Sequence, residues 1–348
     1  PETKEERMNA TLNYQPHWVR EDFVDFVLQK INATWAWKRV LAEVTAVQPL
    51  HTDMVLIKLK PNRNFNFEQV CAGQSILLTL LIDGVYQQRS YSIIEVTTQG
   101  EIALGIKIQG LVSRAAQLLH VGECVEISQP QGDFTLHQGQ QPAILIASGS
   151  GITAIYSLLQ QALKQQLEQI HVIYFNRAEI FHAELKALAE QHPQLQYHFF
   201  NTTEQKQHLT ESLLQKLVPD FAQTATYICG HHGMMQQANE IYAQKGAQSQ
   251  LHQEYFQPLQ VTGTHAAQPV IFRRAQHEFL AETNLLSSAE QAGLRPQHGC
   301  RMGVCNKCSC TKVSGVTQNL LTGEIEDQPN RPIKLCVSQA LSPVTIDL

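Results

Sequence analysis

Cys300, Cys305 and Cys308 sit within HGCRMGVCNKCSC (298–310) at the spacing C-x4-C-x2-C, and Cys336 follows well downstream. Four thiolates in this pattern suit a [2Fe–2S] cluster, whose two irons need ligands converging on an object a few ångströms across. Gly299 and Gly303 give the loop the freedom to wrap closely, so that backbone N–H groups reach the sulfurs and set the potential. A structural zinc ion also takes four thiolates, but usually from two short C-x2–4-C pairs, which the distant Cys336 fits poorly. Cys310 is surplus to the set and reads as a bystander. The first residues, PETKEERMNA, are charged and hold no apolar signal region. The eight cysteines therefore read as ligands or free thiols before disulfides, and a cytoplasmic setting is expected.

Three further strings carry chemistry. In QQRSYSIIEV (87–96), Arg89 offers a planar fork for phosphate and Tyr91 a ring for stacking, with Ser90 and Ser92 beside them. Gly110, Leu111, Val112 and Ser113 open a short helix whose free N–H groups suit a phosphate. AILIA (143–147) runs into Gly149-Ser150-Gly151-Ile152-Thr153-Ala154, a strand, glycine turn and helix of the kind that cradles a pyrophosphate. At the tip of the next strand, in FNRAE, Asn176 and Arg177 replace the acidic residue that would hold ribose hydroxyls. NADPH is therefore expected ahead of NADH. In YICGHHGMM (227–235), Cys229 alone would be a small hydrophobe, and His231 and His232 lack the partners of a metal site.

The elements that must hold these residues come in three blocks after a preface. Residues 1–37 read as a helical extension in which Val24, Leu28 and Ile31 share a stripe expected to pack on the rest of the chain. Nearby Phe23, Phe26, Trp35 and Trp37 would also suit a membrane surface, although basic residues are few. Over 38–138, VLIKLK, SILLTLLI, RSYSIIEV, ALGIKIQG and CVEIS are short strand-like runs with one helical interruption, which predicts a small antiparallel β-barrel. Over 139–256 strands alternate with helices, predicting a parallel sheet covered on both faces. A linker follows at 257–268. The last unit, 269–348, has strands at VIFRR and VTIDL and a helix around LLSSAEQAGL, and is small enough to need a staple. The chain has 348 residues, 43% hydrophobic and 16% charged, with net charge -5, which argues against a nucleic-acid binder. No apolar run reaches the length of a membrane helix.

AEQAGLRPQHGCRMGVCNKC, with the later LC at 335–336, resembles the plant-type ferredoxin domain, of β-grasp α+β fold, at the C-terminus of bacterial flavin-dependent reductases. The resemblance covers 270–348. That segment carries eight Lys/Arg against seven Asp/Glu, a near-neutral balance that suits a tethered module. The order Ala72-Gly73-Gln74, Arg89-x-Tyr91-Ser92, Gly110–Ser113 and Gln131-Gly132-Asp133-Phe134 resembles the flavin domain of the ferredoxin–NADP reductase superfamily. The resemblance implies that Arg89 neutralises flavin phosphate, Tyr91 covers the isoalloxazine and Ser92 lies near N5. The wording GLVSRA and QPQGDFTL leans toward FAD over FMN. Cys229-Gly230 resembles the family's C-G-P-x-x-M element, with His231 in place of proline, and would lie beside the nicotinamide. Ala154 also stands where proline is usual. Glu254 and Phe256 match the closing E-x-F, and Phe256 would shield the flavin.

The implied activity is hydride transfer from NAD(P)H to flavin, followed by single-electron transfer through the cluster to a partner, with Ser92 and Cys229 as catalytic residues. From about residue 38 onward, VSGVTQNLLTGE, RPIKLCVS and GLVSRA resemble reductases that serve membrane fatty-acid desaturases or alkane hydroxylases, which implies peripheral contact with a membrane-bound partner. A soluble Rieske-type oxygenase is the alternative acceptor. A rival from outside the enzymes is a zinc-containing, nucleotide-binding sensor, which would be colourless when purified.

Overall fold

The computed structural model describes residues 21–256 and 266–348. Residues 1–20 of the expected helical extension and 257–265 of the expected linker lie outside them. Helix α1 (Glu21–Ile31) differs from expectation. Val24 and Leu28 are half-buried, but Phe23, Phe26 and Val27 face solvent and Ile31 is 70% exposed. The anchor is polar instead. The buried Asp25 carboxylate accepts the Trp37 N–H at 2.7 Å and stands 3.8 Å from the Arg39 guanidinium. Such a carboxylate is tolerated inside only because it is paired.

Strands β1 (Val40–His51), β2 (Met54–Pro61), β3 (Ser75–Ile82), β4 (Val85–Val96), β5 (Ile102–Lys107) and β6 (Cys124–Ile127) close an antiparallel barrel in the order β1-β2-β5-β4-β3-β6. Alternate residues such as Ile57, Leu59, Ile76, Leu78 and Leu104 fill it, as the period of two requires. Helix α2 (Leu111–Gln117) plugs it with Val112 and Ala116. Strand β1 was not among the expected runs. Glu43, Thr45 and Gln48 interrupt its apolar pattern, and register shifts at Val44/Ala46 and Pro49/His51 change which face its residues meet.

The middle of the chain alternates as predicted: β7 (Ala143–Ser148), α3 (Ile152–Gln165), β8 (Ile170–Asn176), α4 (His182–Gln191), β9 (Leu195–Asn201), α5 (Glu211–Leu217), β10 (Ala225–Gly230), α6 (His232–Gln244) and β11 (Leu251–Tyr255). The strands pair in parallel in the order β11-β10-β7-β8-β9. One sheet face is sealed by Ile155, Leu158 and Leu159 of α3, the other by Met235, Ala238 and Tyr242 of α6. The chain leaves β7 in one direction and returns on its other side at β10. Such a switch point opens a crevice at the strands' C-terminal ends.

The last unit contains β12 (Gln268–Phe272), β13 (His277–Ala281), α7 (Leu285–Gln291), β14 (Ser309–Ser314), β15 (Thr317–Asn319), β16 (Ile325–Glu326), β17 (Arg331–Lys334), β18 (Ser338–Ala340) and β19 (Val344–Ile346). They form a mixed sheet, β13-β12-β19-β14-β17, and a small sheet, β16-β15-β18. The fully buried Lys312 on β14 ties the two together, its Nζ donating to the carbonyls of Gly315 and Glu326 at 2.7 Å each. The core is small, and Cys308 and Cys336 are part of it beside Val270, Leu285 and Ile346. Among the described residues no helix is long and apolar enough to cross a membrane.

Candidate functional site

Strand β4 sets Arg89, Ser90, Tyr91 and Ser92 opposite Leu78, Leu77, Ile76 and Ser75 of β3. Tyr91 packs on the barrel core, and burial pushes its phenol up to about 12, so the ring is neutral. Ser90 donates to Ser75 Oγ at 2.8 Å. Ser92 is buried and its hydroxyl has no hydrogen-bond partner. An unpaired buried hydroxyl costs about 1–3 kcal/mol, and in a native fold such an atom calls for an explanation, a bound group being one. Arg89 lines a cleft of ≈ 790 Å³ between β4 and residues 293–301, with its Nη1 donating to the Gln88 carbonyl at 2.7 Å.

A second cleft, of ≈ 630 Å³, opens where the topology predicts. Gly149, Ser150, Arg177, Gly230, His231 and Phe256 line it, facing Lys107 and Gln109 at the end of β5. Gly151 makes the approach feasible: a Cβ there would stand 2.1 Å from the Cys229 carbonyl oxygen. The β7 turn and the end of β10 thus touch backbone to backbone. Four of the predicted residues do other work. Ile152 and Thr153 are buried, and the Thr153 hydroxyl donates to the Ser150 carbonyl at 3.0 Å, fixing the turn. The Ser113 hydroxyl accepts the N–H groups of Gln109 and Gly110 at 3.0 and 2.9 Å, so it secures the start of α2. Val112 belongs to the barrel core, and Gly110–Ser113 line neither cleft.

Cys229 is fully buried, opposite Glu254 in the β10–β11 register. Burial, then the neighbouring Glu254, push its thiol well above the usual range. Glu254 is itself buried with one carboxylate oxygen unpaired, and burial raises it to about 8. The sequence marks Glu254 only as the start of the closing E-x-F. Its isolation comes from pairing of the short fifth strand, β11, with β10.

The cysteine loop brings its four thiols together as two pairs. Cys308 Sγ lies 3.3 Å from Cys336 Sγ. Cys300 Sγ accepts the N–H groups of Met302 and Cys305 at 3.4 and 3.2 Å, and Cys305 Sγ accepts the Cys300 N–H at 3.2 Å. A hydrogen bond from its partner holds one thiol of each pair, Cys305 and Cys308, below the usual range. All four are buried. Among the described residues no three His, Cys, Asp or Glu groups are placed to hold one metal ion. Two pairs fit two bridged metal centres better than one tetrahedral zinc. A Cβ on Gly299 would stand 2.9 Å from Cys305 Sγ, so glycine there leaves the sulfur room. Cys310 belongs to neither pair: its Sγ lies 3.9 Å from the Ile333 carbonyl oxygen, and burial drives its thiol up to about 12. Arg301, at φ 61, clamps the loop to α7 by two bonds to Glu290 at 2.8 and 2.6 Å.

The loop does not stand alone. Cys300, Met302 and Cys305 form an apolar cluster with Leu77 of β3, and Lys307 Nζ donates to Gln88 Oε1 of β4 at 2.8 Å. The cysteines therefore rest on the strand pair that bears Arg89–Ser92.

Residues 41–136 match the oxidoreductase FAD-binding domain, and residues 145–240 match the oxidoreductase NAD-binding domain. The chain belongs to the ferredoxin–NADP reductase superfamily. It is an NAD(P)H-dependent oxidoreductase. It is 29% identical to an NADPH oxidoreductase of Mycobacterium tuberculosis, over 93% of this chain and 88% of that one. With the 3-chlorobenzoate-3,4-dioxygenase reductase subunit of Comamonas testosteroni it shares 26% identity, over 75% of this chain and 82% of the other. Among solved structures, phthalate dioxygenase reductase, described as modular for electron transfer from pyridine nucleotides to [2Fe–2S], superposes with a TM-score of 0.59 at 21% identity. That match covers 88% of this chain and 97% of the other, and it shows likeness of fold.

Proposed function

We propose that this reductase takes hydride from NAD(P)H onto FAD and delivers single electrons, through a [2Fe–2S] cluster on Cys300, Cys305, Cys308 and Cys336, to a separate protein. The observation that carries this reading is the contact of Leu77 with Cys300 and Cys305, across the strand pair from Ser90. FAD would supply the conversion of a hydride into single electrons that the cluster can carry. The chain's own residues bind, orient and exclude water. Arg89 would neutralise flavin phosphate, neutral Tyr91 would cover the ring, and the unpaired Ser92 hydroxyl would find its partner near N5. Gly149, Ser150 and Gly151 would cradle the nucleotide pyrophosphate, and Arg177 would take the 2′-phosphate of NADPH. Cys229 and Gly230 would flank the nicotinamide, with Phe256 as a shield. Burial of Ser92, Cys229 and Glu254 keeps this region dry, which protects a hydride in transit.

An oxygenase-type enzyme is the acceptor class supported by the kinship with a dioxygenase reductase subunit. A membrane-bound desaturase or hydroxylase is the second reading. The exposed Phe23, Phe26, Trp35 and Trp37 around α1 favour it, since aromatic side chains suit the headgroup zone.

The test is anaerobic addition of NADPH, and separately NADH, to purified protein. A yellow-brown protein with acid-labile sulfide, whose visible bands bleach, is expected. Cys305→Ser should abolish reduction of an external one-electron protein while sparing reduction of a small dye. Equal loss of both would break the assigned order of carriers.

A further inference from the structure

His231 follows Gly230 at the end of β10 and lines the nucleotide cleft. Its backbone N–H donates to Ser148 Oγ at 3.0 Å, which pins it against the β7 turn. Its side chain is the N-cap of α6: the Met234 N–H donates to His231 Nδ1 at 3.1 Å. A backbone N–H can only donate, so Nδ1 carries no proton in this arrangement and the imidazole proton sits on Nε2. Burial, with His208 and His232 nearby, lowers the imidazole's pKa and favours this neutral form. The helix cap therefore fixes the tautomer and leaves Nε2–H as the ring's single donor. In most N-caps a short Ser, Thr, Asp or Asn does the work, with nothing left over. Here the capping residue lines the cleft and keeps a second functional atom beyond the cap.

We propose that His231 is a binding residue for the nicotinamide half of NAD(P)H, its Nε2–H donating to an acceptor oxygen of that half. The acceptor is a ribose hydroxyl or the carboxamide oxygen; both are neutral oxygens within the same half of the ligand. This rests on the placement of the nicotinamide beside Cys229 and Gly230. The adenine half would lie at the opposite end of the cleft, by Arg177, out of reach of the donor.

The test separates the cap from the donor. His231→Asn keeps a strong N-cap, but its short amide cannot cap and reach the ligand at once; His231→Ala loses both. In full-length protein, His231→Asn should keep the wild-type melting temperature and raise KM for NADPH about fivefold to tenfold, with a smaller change in kcat for dye reduction. Inhibition by 2′,5′-ADP, which lacks the nicotinamide half, should be unchanged. His231→Ala should show the same KM together with a lowered melting temperature. An unchanged KM in His231→Asn, or an equal weakening of 2′,5′-ADP, would overturn the assignment. Wild-type protein that fails to oxidise NADPH or NADH with any dye would instead remove the nucleotide reading on which it rests.

Discussion

The flavin and nucleotide region and the cysteine unit carry their chemistry in opposite ways. The first leaves polar atoms without partners, the Ser92 hydroxyl and one Glu254 oxygen, inside folds that have large cores of their own. The second pairs its reactive atoms with one another and builds two of them, Cys308 and Cys336, into its small core. A region of the first kind can fold and then bind. In a region of the second kind, holding the proposed cluster and holding the fold would be one act, because a unit of this size buries little else.

The sharpest way to break that contrast is Cys336→Ala. Cys336 belongs both to a thiol pair and to the core, so its loss should abolish binding of the proposed cluster and loosen the last unit together. Reduction of an external protein should fall at least about 100-fold, while NAD(P)H-dependent dye reduction stays within about twofold. Visible absorption and limited proteolysis of residues 266–348 would check it. A well-folded last unit with the colour lost would show that ligand and fold are separable after all. On the other side, Arg177→Ala removes a single charged donor from a cleft that is already formed. Its KM for NADPH should rise about 10- to 100-fold, with the KM for NADH and the melting temperature nearly unchanged. Equal losses with both nucleotides would place the guanidinium elsewhere.

Glu254 tests whether the unpartnered atoms of the first region are a cost held for binding. Its carboxyl is raised to about 8 in the folded chain by burial, whereas an unfolded chain would titrate it near 4.3. Below the unfolded value both states hold the proton and the group contributes nothing. Between there and about 8 the folded state binds more protons, so stability falls as pH rises through this window. Full ionisation across a gap of this width would cost about 5 kcal/mol, most of it between about pH 5 and 8.5, read as a melting temperature that declines over that range in ligand-free protein. Glu254→Gln should flatten the decline. A parallel decline in the variant would assign it to another group.

The same contrast governs what the sequence discloses. The cysteine spacing, the glycine turn after β7 and the R-x-Y-S string are local, so they are readable before any fold is known. The barrel and the alternating sheet follow from periodicity, though β1, β9 and β11 escape it: β1 because of its bulges, β9 because LQYHFFN mixes polar and aromatic residues, and β11 because it is short and abuts a polar run. Positions fixed by contacts between distant segments are not legible. Nothing in the local pattern says that Glu254 is sealed beside Cys229, or that Asp25 rather than an apolar stripe anchors α1. Each depends on what a remote element leaves uncovered.

Where the two regions meet, one apolar and one polar contact share the junction. Leu77 is buried against Cys300 and Cys305, while Lys307 reaches Gln88 from an exposed position. A long exposed side chain surrenders rotamer freedom to hold one hydrogen bond in water, so its net contribution should be at most about 0.5 kcal/mol. Lys307→Met should therefore change electron delivery to an external protein by less than about twofold, and the small effect should not depend on salt. A severalfold fall in the rate of cluster reduction by stopped flow, relieved or worsened by salt, would mean that charge and not the Leu77 contact holds the cysteine unit against the flavin strands.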